Sequence, residues 1–239
     1  MSIWYVTTGI SLQEKSRCWK NSGLQPDFAA LDAMSSHKFE ASPTGARLRT
    51  WLNDQLGAIE GSPNPWRAAE AFVQEHFRAE AVQGLLPAEL ATLKALAEQR
   101  ALQEGDQLRF LGGVTNWAVA QVLKAAATTL WPGLQVDLLG PYQLDPVNTR
   151  DFNDAVQNLW VTEIQPNLAQ ARFVLTGGYK ALLLAFAWRL SASPAVPRGV
   201  PVIYYLHEDP GFRVIQLGRG VEDRHAGQQR AGEAPLVAT

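Results

Sequence analysis

Short apolar runs bounded by turn-forming residues recur along the chain at residues 2–8, 107–112, 134–140, 171–176, 200–207 and 212–217. Runs of this length, rich in Val, Ile, Leu, Phe and Tyr, fit buried strands. Between them the apolar period lengthens to that of a helix, over residues 115–130 with Thr115 or Asn116 as cap, 151–168 with Asp151 as cap, and 180–190. Strand alternating with helix predicts a parallel, doubly wound sheet. Only Glu208-Asp-Pro-Gly211 separates the last two runs. A crossover helix does not fit there, so they are expected to close the sheet as a C-terminal antiparallel hairpin.

No strand pattern occurs between residues 42 and 104, where 47–59, 66–81 and 87–103 carry helical spacing and Gly61-Ser-Pro-Asn-Pro65 punctuates them. This segment reads as a helical insertion into an α/β, Rossmann-like domain spanning residues 1–218. Inserted after the first strand and its loop, it is expected beside or over the ligand crevice. Beyond Gly218 the composition shifts to Gly, Arg, Gln, Ala and Glu without periodicity, which predicts a flexible tail over residues 219–239.

The chain has 239 residues, 46% of them hydrophobic, enough for one substantial core. A formal net charge of -2 gives no global basic field for long DNA or RNA, so an anionic ligand must be small and held locally. The single cysteine, Cys18, excludes an internal disulfide and a cysteine-based zinc site, and fits a reducing cytoplasm. It is expected to be buried or half-buried. His37, His76, His207 and His225 show no ligand spacing, so no metal site is expected, and His76 reads as a helix surface or boundary residue. The longest apolar helical run, residues 181–188, is too short for a bilayer, and no secretory signal opens the chain; a soluble, cytoplasmic protein is expected. Trp4, Trp117 and Trp188 sit on elements expected to be buried, as large core side chains.

The candidate chemistry lies at strand ends. Ala171-Arg-Phe-Val-Leu breaks at Thr176-Gly177-Gly178-Tyr179-Lys180 and runs into a helix. Paired glycines permit close backbone approach to a ligand, the helix start presents unpaired N–H groups, and Lys180 adds a full charge. A phosphate cradle and a plain tight turn with a solvated lysine are both open on these residues alone. The first strand ends in Thr7-Thr8-Gly9-Ile10-Ser11, and in a parallel sheet both loops gather at one edge. Gly112-Gly113-Val-Thr115-Asn116 also joins a strand to a helix; it either adds backbone N–H groups to the site or is a plain turn. No Gly-x-Gly-x-x-Gly or Gly-x-x-x-x-Gly-Lys-Ser/Thr fingerprint occurs.

Thr7-Thr-Gly-Ile-Ser11 after the first strand, Pro87-Ala-Glu-Leu90, Thr176-Gly-Gly-Tyr-Lys180 after a late strand, and Val200-Pro-Val-Ile-Tyr-Tyr-Leu-His-Glu208 following it, in this order along the chain, resemble the CRISPR-associated Rossmann-fold (CARF) proteins. The similarity spans residues 2–218 and is greatest to the stand-alone ring nucleases of type III CRISPR systems. Ile10 departs from the pattern, since many relatives carry a second hydroxyl residue there. The resemblance implies a homodimer that binds cyclic tetra-adenylate and cleaves it without metal or cofactor: a ribose 2′-OH attacks the adjacent phosphorus and leaves a 2′,3′-cyclic phosphate, ending the antiviral signal. It implies Ser11 and Lys180 as catalytic residues, with Thr8, Gly9, Ile10, Ser11, Glu89, Gly112, Gly113, Thr115, Asn116, Thr176, Gly177, Gly178, Tyr179 and Lys180 around the ligand. For Glu89 the residues themselves favour a solvated glutamate in the first turn of a helix. Arg219 and His225 have the spacing of the HEPN ribonuclease motif but stand in the glycine-rich tail, with no helices to form such a domain. A binding-only sensor and a Rossmann-like binder or enzyme of an ordinary nucleotide are the alternatives.

Overall fold

The first strand, β1 (Ile3–Thr7), is buried along its whole length, as a central strand covered on both faces must be. In the computed structural model, which describes residues 1–9, 12, 16–21, 27–81, 83–144, 147–176, 180–194, 196, 202–207 and 213–217, β1 pairs in parallel with β2 (Gln107–Gly113) on one side and β4 (Ala171–Val174) on the other. β3 (Gln135–Tyr142) lies outside β2, while β5 (Ile203–His207) and the antiparallel β6 (Arg213–Leu217) extend the other side. The order is β3-β2-β1-β4-β5-β6, a mainly parallel α/β sheet of Rossmann-like type with a C-terminal antiparallel pair. All six expected strands form. The turn expected at Glu208–Gly211 and the tail at 219–239 lie outside the described residues.

Alternation along the strands divides the core in two. Trp4 and Val6 point to one face with Leu108, Phe110, Val174 and Tyr204; Ile3 and Tyr5 point to the other with Leu111, Phe173 and Ile203. Trp4 meets Tyr204 at 5.0 Å and Tyr5 stacks on Phe173 at 5.4 Å, ring centre to ring centre. The first face is covered by α3 (Pro43–Glu60), α4 (Pro65–His76), α5 (Ala88–Glu98) and α6 (Trp117–Leu130), the second by α7 (Thr149–Leu159) and α8 (Lys180–Ala192). The expected helical insertion is therefore a layer of the core: Leu52, Leu56, Ile59, Phe72 and Val73 share one cluster with Trp4 and Val6. The start of α5 reaches the carboxyl edge of the sheet, where Glu89 meets Gly9, while α3 and α4 pack against α6.

Several boundaries move from where the sequence put them, each for a local reason. The helix expected over 66–81 stops at His76, because Phe77 turns extended and pairs with Trp19, with Lys20 N–H donating to the His76 carbonyl. The helix expected over 87–103 stops at Glu98, and Arg100 takes a left-handed φ of 57°. Asn148, not Asp151, caps α7; its side chain accepts from Asp151 N–H. That helix gives way to a π turn, Trp160–Ile164, and a short 3-10 turn containing Pro166, which lacks the N–H a continuing helix needs. Two further helices, α1 (Phe28–Asp32) and α2 (Ser36–Glu40), had no counterpart in the pattern. Arg78 holds the first through a two-pronged bond to Asp32 (2.8 and 3.1 Å) and stacks over Phe28; Arg17 donates to the carbonyls of Leu31 and Met34.

Cys18 is buried, as expected, and His76 sits at a boundary, edge-on to Trp51. Trp4 is in the core and Trp117 is half-buried, but Trp188 is 76% exposed. On α8, Leu182, Phe186 and Leu190 face the sheet at helical spacing, which leaves Leu184 and Trp188 on the opposite side. A helix apolar all round does not encode which face turns inward. Among the described residues, no helix is long and apolar enough to cross a membrane.

Candidate functional site

Chain direction along the sheet reverses between β1 and β4: β1 to β3 build one half, β4 to β6 the other. At such a boundary the loops after the two central strands diverge to opposite faces and leave room for a ligand outside their carboxyl ends. Three segments meet there in the described residues: Thr7, Thr8 and Gly9 after β1, the first turn of α5, and Thr176 after β4. Glu89 Oε1 accepts the Gly9 N–H at 2.8 Å. Thr92, one turn along α5 and on the same face as Glu89, has its hydroxyl 2.8 Å from that of Thr176 and donates to the Ala88 carbonyl at 2.7 Å.

A fourth segment, the β2–α6 connection, closes on the β1 loop from the other side. Asn116 Nδ2 donates to the Thr8 carbonyl at 2.9 Å, while its Oδ1 accepts Gly113 N–H at 2.7 Å. Asn116 occupies the N-cap position of α6, as expected, but its side chain bonds Thr8 and Gly113 rather than the helix N–H groups, and a 3-10 turn, Val114–Asn116, precedes the helix. Thr8 is buried, and both its N–H (3.3 Å) and its hydroxyl (2.7 Å) are directed to the Leu111 carbonyl. Gly112 is glycine for space, since a Cβ there would lie 2.5 Å from the Trp117 ring. Next to it β3 carries an irregularity between its pairings with Leu111 and Gly113. Gly140, within it, has a φ of 123° and leaves no room for a Cβ against the Gly112 carbonyl.

The residues singled out by sequence therefore fall into three groups. Thr8, Gly9, Glu89, Gly112, Gly113, Asn116 and Thr176 are gathered at one edge of the sheet; the Gly9 N–H is engaged by Glu89, and the Gly113 N–H, in the connection the sequence offered as a source of backbone donors, by Asn116. Thr115 lies exposed beside them. Ile10, Ser11, Gly177, Gly178, Tyr179 and the side chain of Lys180 lie outside the described residues, although the Lys180 backbone opens α8 directly after this edge. Glu89 corrects the reading of a solvated glutamate: its residue exposure is 0%. The positive end of α5 helps hold a carboxylate there.

Thr92 was missed. Its signal was present, a hydroxyl residue three positions after Glu89 on the same face of the helix. Two depressions among the described residues lie elsewhere, between Trp160 and Trp188 and beside Trp51; the candidate site is defined by its strand ends. Among the described residues no group of three or more His, Cys, Asp or Glu is placed to hold a metal ion. No protein-family model matches the chain, and no curated protein matches it in sequence.

Proposed function

We propose that the chain is a ring nuclease of CARF type, which binds cyclic tetra-adenylate between two copies of itself and cleaves it without metal. The observation that carries this reading is the meeting of the Thr7–Gly9 segment, the Glu89–Thr92 turn of α5 and Thr176 at the point where strand order reverses. These segments lead directly into Ile10-Ser11 and Gly177-Gly-Tyr-Lys180, the stretches on which the family resemblance rests.

A ring of four nucleotides with two-fold symmetry suits a homodimer in which each copy offers the same loops to half the ring. In the reaction, a ribose 2′-OH gives up its proton as its oxygen bonds to the adjacent phosphorus, the bond from phosphorus to the 5′-oxygen breaks, and that oxygen takes up a proton and leaves as a hydroxyl. The products are linear adenylates ending in a 2′,3′-cyclic phosphate. Lys180 offsets charge on the phosphoryl oxygens, and Ser11 aligns the phosphate or the attacking ribose by hydrogen bonding.

Incubating the purified protein with cyclic tri-, tetra- and hexa-adenylate in the presence of a chelator, with chromatographic separation, tests the reading. Linear products from the tetra-adenylate and a calorimetric ratio of one ring per two chains are expected. Tight binding without products would leave a sensor; no binding at micromolar ring would remove the reading. The strand order, shared with dinucleotide-binding sheets, supports a second reading, a binder of an ordinary nucleotide. Thermal-shift arms with ATP and NAD separate the two.

A further inference from the structure

Glu89 is an ionisable side chain with no exposure, placed in the first turn of α5, and its Oε1 receives a backbone N–H from a loop 80 residues earlier in the chain. A buried carboxylate is stable only where hydrogen bonds and fixed dipoles replace water. Here the replacement includes Gly9 N–H and the start of α5. The neighbouring carbonyl, that of Thr8, is held from the opposite side by Asn116 Nδ2 at 2.9 Å. Two side chains from different elements thus grip the N–H and the carbonyl of a single peptide group, the Thr8–Gly9 amide, two residues before Ser11.

We infer that Glu89 is a positioning residue, which sets the backbone of the β1 loop at Gly9, two positions before Ser11 in the chain, and that it does not itself touch the ligand. Its consequence for cleavage rests on the ring-nuclease reading; the anchoring of the loop does not. A neutral glutamine keeps an acceptor oxygen at the same reach, whereas alanine removes it and aspartate draws it back by one methylene.

Amide exchange at Gly9, followed by NMR without ligand, reads the anchoring directly. Glu89→Ala is expected to speed exchange at Gly9 at least about ten-fold, Glu89→Asp to do so in a protein that keeps its fold, and Glu89→Gln to restore most of the protection; a tenfold change corresponds to the loss of about one ordinary hydrogen bond. Unchanged Gly9 exchange in folded Glu89→Ala or Glu89→Asp overturns the inference. In the cleavage assay kcat should fall about ten-fold or more in Glu89→Asp while KM moves less than about three-fold, with recovery in Glu89→Gln. Equal loss of affinity in Glu89→Gln and Glu89→Asp, with Gly9 protection intact, would make Glu89 a ligand contact instead. If the wild-type protein cleaves nothing, the ring-nuclease reading fails on its own, and the Gly9 measurement still decides the anchoring.

Discussion

The hydroxyls of Thr92 and Thr176 meet at 2.8 Å, joining α5 to the end of β4 across 84 residues of sequence. Thr92 is fully buried. Thr92→Val keeps the shape and removes the bond, which should cost about 1 kcal/mol. Urea midpoints measure this; a variant as stable as wild type would show that the contact adds nothing to the fold.

Asp106 has the larger structural role, at the opposite edge of the sheet. Its carboxylate accepts from Ser2 N–H (2.6 Å), Trp4 Nε1 (3.0 Å) and Gln103 N–H (3.2 Å) while only 5% exposed. Asp106→Ala strands three donors and should destabilise by about 3 kcal/mol or more, Asp106→Asn by less. Because the site lies at the other end of the strands, ligand affinity of the folded variants should stay at the wild-type value. Calorimetry at a temperature where both are folded checks this.

Burial pushes the Cys18 thiol well above its ordinary range. In the unfolded chain the thiol ionises near pH 8.5, and in the folded one it stays protonated, so its stabilising share is full below about pH 8.5. It is lost progressively as the pH climbs toward the raised folded value. For this group alone the slope is about 1.4 kcal/mol per pH unit. Burial also raises Tyr5, Tyr142 and Tyr204, which adds to the alkaline loss above about pH 10. The stability gap between wild type and Cys18→Ala should therefore shift in favour of the variant between pH 8 and 10; parallel urea midpoints over that range would contradict it.

On the ring-nuclease reading, Lys180→Ala removes a charge-assisted bond worth about 1.5–3 kcal/mol, or roughly ten- to hundred-fold in rate if it is realised in the transition state. Ser11→Ala should slow cleavage more than it weakens binding. Single-turnover rates beside calorimetric affinities distinguish these outcomes. A double variant that cleaves as fast as wild type would exclude both residues from the chemistry.

Strand positions were legible because each strand is a short apolar run between turn residues, and the hairpin because four residues leave no room for a helix. The facing of α8 was not, since Leu184 and Trp188 are as apolar as the buried Leu182 and Phe186. Helices α1 and α2 were missed because tertiary contacts, Arg78 to Asp32 in α1 and Arg17 over the Phe39 ring in α2, hold segments too short to show a period. The gathering of Thr8, Gly9 and Thr176 at one edge followed from strand ends alone. The engagement of Glu89 and Asn116 did not, because a carboxylate at a helix start reads the same whether water or a distant N–H receives it.

Asp106 takes the N–H of Ser2 and Glu89 that of Gly9, so β1 is moored by a carboxylate just beyond each end. A slip of one residue would turn Trp4 and Val6 onto the opposite face and would have to break both moorings at once. Alignment of the site is then inherited from the strand: whatever fixes the register of residues 3–7 fixes, in the same act, the height at which the loop beyond them meets the outside world.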